Sequence, residues 1–121
     1  MNPKKTYPIV LSIAGSDSSG GAGIQADLKT FSALGVYGAT AITAITAQNT
    51  LGVHAQCPIP PEMVYDQITA VVDDLHPSVV KIGMLSNAEI VLAVAEALGK
   101  YSLPIVLDPV MVSSSGHRLL S

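Results

Sequence analysis

The chain has 121 residues, enough for one domain with a buried core, and 49% of them are hydrophobic while only 12% are charged. This apolar balance predicts surface that is covered, either by the rest of a larger domain or by another copy of the chain, so a homo-oligomer is expected. The net charge is −3 with six Lys and Arg residues, and these form no basic stripe. Nucleic acid is therefore not an expected partner.

The cysteine and histidine content predicts neither a disulfide framework nor a metal site. Cys57 is the single cysteine and cannot form an internal disulfide, which agrees with a reducing, cytoplasmic location. The three histidines have no metal-ligand spacing. No segment approaches the roughly 20 apolar residues of a membrane helix, and the apolar run at 9–14 is too short for a signal peptide. We expect no membrane partner.

Strand and helix patterns alternate along the first half of the chain. Residues 9–14 predict a buried strand, and residues 23–34 predict a helix that ends at Gly35. Residues 39–47 are small and β-branched on both faces, which favours a central parallel strand. A connection that holds Cys57 follows.

The second half repeats the alternation. Residues 61–75 predict a helix with proline in its first turn, and residues 79–82 a third strand. In the next helix we expect Ser86 and Glu89 to form a capping box and Gly99 to end it.

Residues 105–107 form the fourth predicted strand. Strands joined by helices predict an α/β fold with a doubly wound parallel sheet that is covered on both faces.

Four closely spaced glycines follow the first strand, in GSDSSGGAGIQADLKT at 15–30. Glycines let a ligand approach the backbone, and the helix start offers N–H groups to a polar or anionic group. A nucleotide P-loop is excluded, because Gly21 and Ala22 stand where it needs Lys and Ser or Thr. A dinucleotide motif fails at Ala26, where its last glycine belongs. A tight turn without ligand stays open.

Polar or unusual residues follow each predicted strand. Gly15 follows the first strand, Gln48 and Asn49 the second, Met84 the third and Asp108 the fourth. The carboxyl ends of parallel strands share one edge of the sheet, where ligands bind, so we expect these residues to lie together.

Each candidate also has a structural interpretation. Asp27 lies at the edge of its helix's apolar stripe, where a carboxylate needs a partner, although a backbone N–H or water would serve. Gln48 would serve as a polar strand end, Met84 as core and Asp108 as a turn former before proline. Lys81 is assigned no role.

Three long blocks resemble the hydroxymethylpyrimidine/phosphomethylpyrimidine kinase family, thiamin-biosynthesis enzymes of ribokinase-like fold. The blocks are AGSDSSGGAGIQADLKTFSALGVYGATAITAITAQNT, then VKIGML and VLDPVMVSSSG. The resemblance implies that residues 1–121 are the N-terminal portion of a single ribokinase-like kinase domain. The family's Gly-Thr-Gly-Cys-type loop, which builds the anion hole, does not occur in this sequence. We therefore place no catalytic residue in the chain and expect it to lack kinase turnover by itself.

The resemblance also implies a reaction and a site. The family uses ATP and Mg²⁺ to phosphorylate 4-amino-5-hydroxymethyl-2-methylpyrimidine and then its monophosphate. The positions that match its pyrimidine site are Gly15, Asp27, Gln48, Met84 and Val110. Asp108 matches the phosphate and Mg²⁺ side. A pyridoxal kinase of the same superfamily and a non-catalytic pyrimidine-binding fragment are the alternatives.

Overall fold

A five-stranded sheet is the centre of the structure, a computed structural model that describes residues 7–108. The elements in chain order are β1 (Ile9–Asp17), α1 (Gly23–Ala33), β2 (Tyr37–Asn49), β3 (Gly52–Pro58), α2 (Pro61–Leu75), β4 (Val79–Ile82), α3 (Ala88–Leu98) and β5 (Ile105–Leu107). The strand order across the sheet is β3-β2-β1-β4-β5. The predicted α/β class is confirmed.

The sheet is parallel except at one edge. β1 pairs in parallel with β2 and β4, and β4 pairs in parallel with β5. β3 is antiparallel to β2 and was not predicted, because it is exposed and has no run of buried apolar residues. Asn49 closes the turn before it, since its Oδ1 accepts from the Leu51 N–H at 2.8 Å. Gly52 then adopts a φ of 142°.

The main core lies between one face of the sheet and helices α2 and α3. Its buried members include Leu11, Ile13, Val64, Ile68, Val72, Val80, Ile82, Ile90, Val94 and Leu98. Side chains alternate along β1, so Ser12 lies on the opposite face from Leu11 and Ile13. Helix α1 covers that second face, where Asp27 reaches the Ser12 hydroxyl. None of the three helices within 7–108 has the length and apolarity that crossing a bilayer requires.

The element bounds follow the sequence prediction closely in the second half of the chain and less closely in the first. α2, β4 and β5 have the predicted bounds, whereas β1 continues to Asp17 and β2 to Asn49. These polar continuations carry no hydrophobic pattern, although they still take part in the ladder. They bring Asp17 and Gln48 to the carboxyl edge of the sheet.

The start of α3 corrects one prediction. The N-cap is Asn87, whose Oδ1 accepts from the Ile90 N–H at 2.9 Å. The predicted capping box of Ser86 and Glu89 is therefore wrong by one position, because Asn87 is the last extended residue before the helix and its short acceptor reaches the third helical N–H. Gly99 ends the helix as predicted, in a right-handed conformation.

We expect Asn87→Ala to lower the free energy of unfolding by about 1 kcal/mol, because it leaves the Ile90 N–H without its side-chain acceptor. Urea unfolding measures this change. Asn87→Asp keeps an acceptor of the same length and should stay within a few tenths of a kcal/mol of the parent. Equal losses in both variants would contradict the assigned cap.

We expect the chain to associate through its apolar sheet edge. Ile105, Val106 and Leu107 of β5 are 48%, 54% and 66% exposed, and exposed apolar edge strands promote association. Light scattering over a concentration series should show a mass that rises with concentration. Ile105→Lys, which places a charge on the strand, should reduce that rise, and a monomer at every concentration would contradict the expectation.

Candidate functional site

A cavity of about 350 Å³ lies at the carboxyl ends of the parallel strands. The predicted site residues that line it are Gly15, Asp27, Gln48, Met84 and Asp108. The expected convergence on one edge of the sheet is therefore what the structure shows. Val110, the remaining candidate, lies outside the described residues. Asn49 does not line the cavity, because its side chain closes the turn between β2 and β3.

The glycine-rich loop is folded around a carboxylate of the chain itself. Asp17 Oδ1 accepts from the Ser19 N–H at 2.8 Å and from the Ser19 hydroxyl at 2.7 Å. Its Oδ2 accepts from the Gly21 N–H at 2.9 Å and the Ala22 N–H at 2.7 Å. The expectation that this helix start offers its N–H groups to a ligand is therefore wrong for Gly21 and Ala22. Asp17 already provides the anion there.

The ionisation of Asp17 follows from these contacts. The residue is only 3% exposed, and burial by itself raises the pKa of a carboxyl group. Hydrogen bonds from Ser19, Ala22 and Gly21 outweigh burial, so the pKa of Asp17 is lowered from its ordinary value of 3.8. The group is therefore an anion at neutral pH and holds the loop in that state.

Gly23 lets the loop approach β1 closely. It has a φ of 59°, and a Cβ there would collide with the backbone carbonyl of Gly15. Gly15, within β1, has a different role, because a Cβ there would meet the terminal methyl group of Met84. The absence of a side chain at Gly15 thus makes room for Met84 on the cavity wall.

Asp27 and Lys81 form an ion pair on the cavity wall. The Lys81 Nζ donates to Asp27 Oδ1 at 2.8 Å and to Oδ2 at 2.9 Å, and the Ser12 hydroxyl donates to Oδ2 at 2.6 Å. The side chains are 23% exposed for Lys81 and 14% for Asp27. The pair connects α1 to β4, so Asp27 has the partner that its position on the helix required.

Sequence reasoning missed Lys81 as a site residue. The signal was present, because Lys81 is the charged residue in a four-residue apolar strand of sequence VVKI. A charge within a buried strand needs a counter-charge, and Asp27 at the edge of a neighbouring helix was available. The separation of 54 positions in the chain conceals the pairing from any local pattern.

Asp108 follows β5 and lies at the end of the cavity away from Gln48. Its N–H donates to the Ile82 carbonyl at 2.9 Å and extends the ladder of β5. Its carboxylate is 66% exposed and approaches Lys81 Nζ to 3.8 Å. Lys81 therefore stands between two carboxylates, one bonded to it and one at a longer distance.

Gln48 is held at its backbone and contacts Thr46 through its side-chain amide. Ser18 Oγ accepts from the Gln48 N–H and donates to the Gln48 carbonyl, each at 2.8 Å. Thr46 Oγ1 donates its proton to the Ser16 carbonyl at 2.8 Å and lies 3.1 Å from the Gln48 amide. Within residues 7–108 the amide group has no other hydrogen-bond partner, so it can both donate to and accept from a ligand.

The charge of the lining is predominantly negative. Among the described lining residues, Asp17, Asp27 and Asp108 carry carboxylates and Lys81 carries the ammonium. With Asp17 buried in the loop and Asp27 paired, the part of the wall near Gln48 and Met84 is largely neutral. This arrangement favours an uncharged ring over an anion at that end.

A model of the phosphomethylpyrimidine kinase family matches residues 17–121. A hydroxymethylpyrimidine/phosphomethylpyrimidine kinase of Rhizobium meliloti is 61% identical over 93% of this chain and 42% of its own length. The Escherichia coli enzyme of the same name is 55% identical over 92% of this chain and 42% of its own length. The chain thus spans well under half of the length of these relatives.

Two solved structures resemble this fold. The crystal structure of phosphomethylpyrimidine kinase from Clostridium difficile aligns with a TM-score of 0.86 and 58% identity, covering 94% of this chain and 50% of that one. Pyridoxal kinase from Staphylococcus aureus in complex with AMP-PCP and pyridoxal aligns with a TM-score of 0.79 and 39% identity, covering 89% of this chain and 40% of that one.

We expect Asp17→Asn to lower the free energy of unfolding near neutral pH by about 1 to 3 kcal/mol, because an amide oxygen replaces only part of the acceptor set and carries no charge. The folded-state pKa is lowered, so the stabilisation is present above the unfolded pKa and is lost as the pH falls through the folded pKa. The difference between parent and variant should therefore shrink on acidification below 3.8, the ordinary value.

Urea unfolding at a series of pH values between about 3 and 7 measures this dependence. Asp74→Asn is the matched control, since Asp74 is exposed on α2 and the substitution removes a carboxylate that accepts no hydrogen bond from the glycine-rich loop. A constant difference for Asp17→Asn across the series would contradict the assigned role of the carboxylate.

Proposed function

The chain belongs to the phosphomethylpyrimidine kinase family, and we propose that it forms the substrate-binding portion of an enzyme that phosphorylates 4-amino-5-hydroxymethyl-2-methylpyrimidine and its monophosphate. In this proposal residues 1–121 are the N-terminal portion of a single kinase domain. The observation that carries it is the convergence of the family-matched positions on one cavity. Its volume of about 350 Å³ is near the lower end of small-molecule pockets, as a single substituted ring requires.

Recognition of the ring is assigned to Gln48, Met84 and Gly15. The Gln48 side-chain amide lines the cavity and can donate to a ring nitrogen and accept from an amino group of the ring. Met84 offers a polarisable apolar surface to the face of an aromatic ring. Gly15 has no Cβ to displace the Met84 methyl group that lies against it. Val110 remains a predicted contact of the same ring.

The phosphate side is assigned to Asp108. ATP is the phosphoryl donor in this proposal, and Mg²⁺ neutralises charge on the transferring phosphoryl group when bound. A carboxylate that is 66% exposed at the edge of the cavity fits a Mg²⁺ ion, which is commonly bound by one or two carboxylates together with substrate phosphates. The described residues of this chain bind and orient the pyrimidine.

Pyridoxal kinase is the second candidate within the same superfamily. The resemblance to Staphylococcus aureus pyridoxal kinase, at 39% identity, supports it. The 61% identity to the Rhizobium meliloti hydroxymethylpyrimidine/phosphomethylpyrimidine kinase is considerably higher. We therefore favour the aminopyrimidine, and the binding of the two ligands distinguishes the candidates.

We expect 4-amino-5-hydroxymethyl-2-methylpyrimidine to bind the folded chain and to raise its melting temperature, with about 2.7 kcal/mol of added stability at a hundred times the Kd. Pyridoxal should bind more weakly. Gln48→Ala should weaken pyrimidine binding by about 1 to 3 kcal/mol, because a polar ring atom loses its partner. Isothermal titration calorimetry and thermal melts measure both effects.

Glu62→Ala is the control for this experiment. Glu62 is exposed in the first turn of α2 and does not line the cavity, so its removal should leave pyrimidine binding unchanged. Unaltered pyrimidine binding by Gln48→Ala would show that the Gln48 amide does not contact the ring. Tighter binding of pyridoxal would favour the second candidate.

A further inference from the structure

The ammonium group of Lys81 has one donor more than its carboxylate partner uses. An ammonium carries three N–H groups, and Asp27 accepts through both of its oxygens at 2.8 and 2.9 Å. Asp108 Oδ2 lies 3.8 Å away, beyond hydrogen-bond distance. Among the described residues no further acceptor is bonded to this nitrogen, and Lys81 lines the cavity. The remaining N–H is therefore available to a ligand oxygen that enters the cavity.

The strand order fixes where along the cavity this donor lies. The sheet runs β2-β1-β4-β5 across the site, with Gln48 on β2 and Asp108 directly after β5. Lys81 belongs to β4, between them, and neighbouring strands are about 4.8 Å apart. Lys81 therefore lies one strand away from Gly15, and Asp108 lies one strand further on.

The Asp27 carboxylate determines the position of the Lys81 ammonium in the cavity. Asp27 is held by the Ser12 hydroxyl and by α1, so it fixes the Lys81 ammonium in place. The third N–H is then a fixed donor for a ligand oxygen, neutral or anionic.

We propose that Lys81 binds the hydroxymethyl oxygen of the pyrimidine and that Asp27 is the residue that positions it. This inference rests on the proposed function and names the group that recognises the oxygen to be phosphorylated. In this arrangement Gln48 and Met84 contact the ring, and Lys81 binds its hydroxymethyl substituent. Lys81 aligns that oxygen with the phosphate side at Asp108.

The test compares two ligands that differ by one oxygen atom. The first is 4-amino-5-hydroxymethyl-2-methylpyrimidine, and the second is 4-amino-2,5-dimethylpyrimidine, which lacks the hydroxyl group. The parent chain should bind the alcohol about ten- to a hundredfold more tightly, the range for a hydrogen bond to a charged group. Lys81→Met should bind both ligands with similar affinity, and Lys81→Arg should restore part of the preference. For each protein, calorimetry with both ligands gives the ratio of the two dissociation constants directly.

A second pair of variants avoids a buried unpaired carboxylate. Asp27→Asn keeps Lys81 but loosens its position and should reduce the preference for the alcohol without abolishing it, whereas Asp27→Asn combined with Lys81→Met should lose the preference. An unreduced preference in Asp27→Asn would overturn the positioning role of Asp27. The matched control is Lys100→Met, since Lys100 lies over the rings of Tyr65 and Tyr101 and does not line the cavity. Its ratio should equal that of the parent.

The ratio separates recognition from a purely structural role. If Lys81 only stabilised the fold, its loss would weaken both ligands by the same factor and leave the preference intact, which would overturn the inference. A parent that binds both ligands equally would overturn it too, while leaving pyrimidine binding in place. A folded parent that binds neither ligand would overturn the proposed function together with this inference.

Discussion

The geometry of the site depends on the Asp17 carboxylate, which lies at the end of β1 and accepts hydrogen bonds from Ser19, Gly21 and Ala22. These contacts turn the chain back on itself within a few residues and set where α1 begins. The sharp return also requires Gly23, because a Cβ at this position would collide with the Gly15 carbonyl. The position of Asp27, one turn into α1, follows from this anchored start.

The same carboxylate determines what kind of ligand the loop can accept. A glycine-rich loop at a helix N-terminus is usually an anion site, but here the chain's own anion takes Gly21 and Ala22. The cavity beside it is lined by the paired Asp27 and by the neutral Gln48 and Met84. Negative phosphate charge therefore needs compensation from outside this wall, and the proposed function assigns that part to Mg²⁺ at Asp108.

Much of the fold could be predicted from the sequence because burial leaves a periodic pattern. α2 and β4 were predicted with the bounds that the structure shows. β3 was missed because its residues are exposed and its pairing depends on the turn that Asn49 closes. The α3 cap was misplaced by one residue, since Ser86 and Asn87 are both good cap types and only the backbone conformation selects between them.

The candidate site was predictable in its location but only partly in its chemistry. Strand ends meet at one edge by topology alone, so Gln48, Met84 and Asp108 could be placed together. Asp17 and Lys81 were missed because each acts through contacts that are not periodic. Asp17 binds backbone N–H groups, which leave no mark on composition. Lys81 pairs across 54 residues.

The most direct measurement of the central claim is amide chemical-shift mapping by NMR during titration with 4-amino-5-hydroxymethyl-2-methylpyrimidine. The account predicts that the largest shifts cluster at Gly15, Gln48 and Met84, at the carboxyl edge of the sheet. Shifts that cluster instead in the groove between α2 and α3, around Tyr65 and Leu92, would contradict it. So would a folded chain whose spectrum does not change at saturating pyrimidine.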